Sequence, residues 1–162
     1  MYIHLPNRFS TFWMFVVPLL FFYPVILGSN VIGASVSDMS NGFWSLWHVS
    51  DAILGGSDPF CTSLINAPNG GCLVPADWTG LIWMLPLSMV LEPIQAFNMT
   101  LYLQVVWTGF CMYLLHQAWY KERKSMWIRY DAALVCALLI QVSTVIRTGL
   151  HNGSTEVLSL GW

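Results

Sequence analysis

Long uncharged runs separated by short polar breaks organise this chain. From Phe9 to Ser37 there is no charged residue, and the apolar core of that stretch predicts a first transmembrane helix over 12–27. Pro18 and Pro24 fall inside it and are expected to kink it, which neighbouring helices tolerate in a membrane. Residues 29–97 then read as one long outer loop, punctuated by Gly55-Gly56, Asp58-Pro59 and the turn from Pro68 to Gly71. Within this loop the segment 41–54 (NGFWSLWHVSDAIL) is patterned as a helix. Phe43, Trp44, Leu46, Trp47, Ala52, Ile53 and Leu54 form its apolar face, opposite Asn41, Ser45, His48 and Asp51. A second apolar stretch, 78–91, is too short for a comfortable span and reads as a re-entrant or interfacial helix. Two further spans follow, 98–120 and 130–146, separated by the basic turn at Lys121 to Lys124.

Charge sets the direction of these elements. All basic residues lie outside the window from Phe9 to Tyr120, which nonetheless holds Asp38, Asp51, Asp58, Asp77 and Glu92. Cytoplasmic flanks of membrane helices favour Lys and Arg, so Arg8 and the turn Lys121 to Arg129 are placed inside and the acidic loop outside. A span at 78–91 would reverse the basic turn, which is the second reason for reading that stretch as re-entrant. The predicted fold class is therefore an all-α, polytopic membrane helix bundle with about three transmembrane helices. A cleaved leader is the competing reading of the first apolar run, but the run is long and aromatic and its candidate cleavage site near Ala34 is poor.

Composition agrees with the bilayer. Charged residues make up 9% of the 162 residues and hydrophobic ones 56%, with mean hydropathy +0.61. A formal charge of −2 offers nothing to a nucleic acid backbone. Nine Trp suit the lipid–water boundary, and most of them read as anchors. The bundle is small for a self-contained transporter or membrane enzyme, and its spans lack the charged residues of an ion path. It reads as the N-terminal part of a longer protein or as a short accessory subunit.

Candidate chemistry gathers on the outer side. Asp38 either takes a proton from an acceptor hydroxyl or holds a divalent cation, or else caps the helix that follows. His48 and Asp51 share one helical turn, either as a substrate-binding pair or as a solvated stripe. His151, Asn152 and Glu156 follow the last span on the same side. Arg147 beside them either pairs with an anion such as a phosphate or snorkels to the interface. Cys61 and Cys72 flank a turn in a compartment that permits a disulfide, and no metal-ligand spacing accompanies them.

The order of these features resembles the N-terminal region of bacterial membrane proteins of the C-type (GT-C) glycosyltransferase superfamily. The stretches that carry the likeness are Ser37-Asp38, Asn41 to Trp44 with Trp47, Gly56 to Phe60 and Asn66 to Gly71. Pro86-Leu87, Ala96 to Met99, Gly109 with Tyr113 to Leu115, Asn152 to Glu156 and Gly161-Trp162 continue it. The resemblance implies an inner-membrane protein with a cytoplasmic N-terminus that takes a sugar from a polyprenyl-phosphate donor to an acceptor outside. It implies Asp38 as the catalytic base or metal-binding carboxylate. Such enzymes have many more spans than this chain, so the alternative is a non-catalytic subunit packed against a larger membrane complex.

Overall fold

The computed structural model describes residues 6–23, 26, 28, 30–32, 39–72, 77–119 and 126–152. Among these the protein is all-α apart from one small hairpin. Its elements are α1 (Arg8–Phe22), α2 (Met39–Gly55), β1 (Cys61–Thr62), β2 (Gly71–Cys72), α3 (Trp78–Leu87), α4 (Pro93–Trp119), α5 (Met126–Gln141) and α6 (Thr144–Asn152).

Helix α4 is the axis of the molecule. Its 27 residues extend about 40 Å at 1.5 Å per residue, and it packs against α1, α2, α3 and α5. Phe22 meets Tyr102 edge-on while Met14 clusters with Tyr113, so α1 runs antiparallel to α4. Helix α5 is antiparallel as well, with Ala133 and Ala137 beside Tyr113 and Gln141 reaching Val105. In α3, Asp77 bonds Gln104 and Met84 touches Thr100, so this helix starts beside the middle of α4 and climbs back to its beginning. The sequence places 78–91 as a segment that enters only part-way. The observed helix ends at Leu87 and is followed by turns over 88–90. Two apolar clusters result, a large one among α2, α3 and the first half of α4, and a smaller one among α1, α4 and α5.

Helix α1 begins earlier and ends sooner than the span 12–27. Asn7 caps it by accepting from the Ser10 amide at 2.7 Å. Its end at Phe22 is set by Tyr23, which is extended (φ −76°, ψ 130°), as expected of the residue before Pro24. Pro18 has no N–H, so the carbonyl of Met14 loses its helical partner. Gln141 Nε2 donates to that carbonyl at 3.0 Å, and the Tyr102 hydroxyl donates to the neighbouring Phe15 carbonyl at 2.9 Å. Gly109 makes this possible, because any Cβ there would overlap the Gln141 side chain.

The stretch expected as one span over 130–146 contains a break between two helices. Helix α5 stops at Gln141, and Ser143 opens α6 by accepting from the Ile146 amide at 3.3 Å. Taken together, Asp131–His151 is long and apolar enough to cross a membrane, by length and composition alone. It is the one such stretch among the described residues; α1 and α3 are apolar but shorter. Helix α4 has the length, but it carries Asn98, Thr100, Gln104, Thr108 and Gln117 into the bundle interior.

Candidate functional site

Beside the first turns of α2 and the start of α4 lies a groove of about 570 Å³, walled by Phe43, Trp44 and Trp47 and edged by Glu92, Pro93 and Gln95. Three aromatics at i, i+1 and i+4 of one helix point to one side, which is why α2 can supply a wall alone. Phe43 is fixed by an edge-on contact with Phe97 at 5.3 Å, and Trp44 by stacking on His48 at 5.1 Å with planes 9° apart. Asn98 ties down the chain after α1, donating to the Asn30 carbonyl at 2.9 Å and accepting from the Ile32 amide at 3.1 Å. Its amide is thus spent inside the fold.

Glu92 owes its position to Pro93, which takes the first helical place of α4, where no amide partner is lost. The Glu92 carbonyl accepts from Ala96 at 2.8 Å, and its carboxylate is exposed at the positive end of the helix. No Lys or Arg between Phe9 and Tyr120 can neutralise it from nearby sequence. The site is therefore aromatic on its walls and acidic at its rim.

Of the residues singled out by sequence, His48 is 7% exposed, covered by Trp44, and its Nε2 has no hydrogen-bond partner. Asp51 is exposed on the next turn, and no hydrogen bond or ion pair joins it to His48. The proposed polar face of α2 is thus split. His48 is buried, as is Ser50, while Ile53 and Leu54 of the apolar face are exposed. Arg147 and His151 lie one turn apart and exposed on α6, of which Asn152 is the last residue. Asp38 and Glu156 lie outside the described residues, although Asp38 directly precedes α2 in sequence.

No protein-family model, curated protein or solved structure matches this chain. Among the described residues no three His, Cys, Asp or Glu side chains converge where they could hold a metal ion.

Sequence reasoning missed two carboxylates. Asp77 is 5% exposed; its Oδ1 accepts from the amides of Thr79 and Gly80, both at 3.0 Å, and from the Thr79 hydroxyl. Its Oδ2 accepts from Gln104 Nε2 at 2.7 Å, so it locks α3 to α4. The signal was an Asp followed by Trp and Thr at the start of an apolar run, an N-cap pattern. Glu92 had read only as the end of the preceding apolar stretch. In the hairpin, Asp58 accepts from the Phe60 and Cys61 amides, and Cys61 and Cys72 are disulfide-bonded.

Proposed function

We propose that the chain is a multi-spanning membrane protein of glycosyltransferase type, or a part of one, whose outer face holds the sugar of a polyprenyl-phosphate donor. The observation that carries this reading is the groove: aromatic faces on α2 opposite a carboxylate and an amide at the head of α4. A pyranose ring has an apolar face that stacks on Trp and a rim of hydroxyls that donate to carboxylates. Asp38 precedes Phe43, the first aromatic wall residue of the groove, by five positions in sequence, which supports it as the base.

In this reaction Asp38 takes the proton of an acceptor hydroxyl, whose oxygen attacks the anomeric carbon. The bond from that carbon to the phosphate oxygen breaks, and polyprenyl phosphate leaves with the electron pair. Arg147, exposed on α6, is the candidate partner for the phosphate. The disulfide supports an oxidising outer compartment for the hairpin. α1, α4 and the Asp131–His151 stretch serve as the spans, with both basic flanks in the cytoplasm. The polar residues of α4 then face other helices instead of lipid, as membrane bundles require.

The test is sugar transfer by the complete protein in membranes. Asp38→Asn abolishes transfer while insertion is unchanged, and Trp47→Ala raises the donor KM at least fivefold. Wild-type transfer by Asp38→Asn removes the mechanism. A second reading, a non-catalytic membrane subunit, is favoured by α1, whose exposed Phe9, Phe12, Phe15 and Leu20 fit a partner's helix as well as lipid.

A further inference from the structure

Resting on the sugar-binding reading of the groove, we infer that Glu92 makes this site charge-selective: it takes sugars without an acidic group, prefers those bearing an ammonium, and excludes uronate-type rings. The walls are the faces of Trp44 and Trp47 with Phe43, and aromatic faces carry negative potential that attracts a cation and repels an anion. Glu92 adds a full negative charge at the rim, exposed and set at the head of α4. The chain holds no Lys or Arg from Phe9 to Tyr120, and the groove's walls come wholly from that window.

A neutral ring therefore stacks at no electrostatic cost. An amino sugar adds cation–π attraction and an ion pair with Glu92, whereas a uronate meets like charge on both sides. The same arithmetic requires the donor phosphate to lie outside the groove. Glu92 is thus a specificity-determining residue, and it has no part in bond making.

The experiment is tryptophan-fluorescence titration of the protein in nanodiscs of neutral lipid at pH 6, with glucose, glucosamine and glucuronate as probes. Glucosamine is expected to bind about tenfold more tightly than glucuronate, with glucose between them, the ratio of one modest charge contact. Glu92→Gln is expected to bring glucosamine and glucuronate within about twofold of each other, and Trp47→Ala to weaken all three. Equal binding of the three probes by the wild type overturns the charge selectivity and leaves the sugar site standing, as does a glucosamine preference that survives in Glu92→Gln. Binding of none of them overturns the sugar site itself.

Discussion

At the scale of single residues, the buried carboxylate of Asp77 does the most to fix the groove's frame. It caps α3, joins that helix to Gln104 on α4, and stands against Gly80, whose missing side chain lets Leu46 of α2 come close. Removing it strips the cap and leaves the Gln104 amide without its carboxylate. Losing a cap costs about 1 kcal/mol and stranding a buried donor about 1–3 kcal/mol. Asp77→Ala is therefore expected to destabilise the folded protein by about 2–4 kcal/mol, read as a lowered thermal midpoint in detergent. Asp77→Asn keeps an acceptor for the α3 amides, and Gln104 can turn its carbonyl toward the new amide, so it should recover most of the loss. Unfolding of Asp77→Ala at the wild-type midpoint would show that the network contributes nothing. A lone Asp before an apolar run signals a cap in sequence. That its other oxygen binds a glutamine 27 positions later is a fact of packing and leaves no local trace.

Among elements, α1 shows how the gap left by a proline is filled from a distance. Both prolines were expected to lie inside a helix running to residue 27 and kink it, whereas α1 ends at Phe22, before Pro24. Nothing near Pro18 in sequence says that Gln141 would donate to the carbonyl it frees, or that Gly109 would clear the path. The existence of the helices follows from apolar runs, whereas their bounds depend on caps such as Asn7 and Ser143 that a hydropathy pattern overlooks. His48 illustrates the same limit: the α2 periodicity gave a polar and an apolar face, but His48 of the first is buried and Ile53 and Leu54 of the second are exposed. The repair of α1 is testable by a double-mutant cycle. Gln141→Leu is expected to cost about 1–3 kcal/mol, the penalty for a stranded buried carbonyl. Pro18→Ala restores the missing N–H, so in that background the same Gln141→Leu change should cost about 1 kcal/mol less. Strict additivity of the two substitutions would mean that Gln141 stabilises the bundle by some other contact.

For the whole molecule, the proposed sugar reading requires the start of α4 to face outward. Its first turn forms the groove's rim with Glu92, and its last residue, Trp119, leads to the basic run at Lys121 to Lys124. Because α3 runs from the middle of α4 back to its beginning, α2, the disulfide hairpin and the groove all lie along the first half of α4. One orientation thus exposes the groove, the hairpin and Asp51 together, and the opposite one places them all in the cytoplasm. The positive-inside bias favours the former for the proposed membrane protein, since short cationic segments remain on the inner side. Thiol labelling in intact cells checks this, in a background where Cys111 and Cys136, the free cysteines among the described residues, are replaced by alanine. Ser57→Cys, exposed beside the hairpin, should react with a membrane-impermeant maleimide from outside. Lys124→Cys should react only after the membrane is opened. The reverse pattern would put the disulfide in a reducing compartment and the groove out of reach of a donor presented on the outer leaflet, so the sugar reading would fail with the topology.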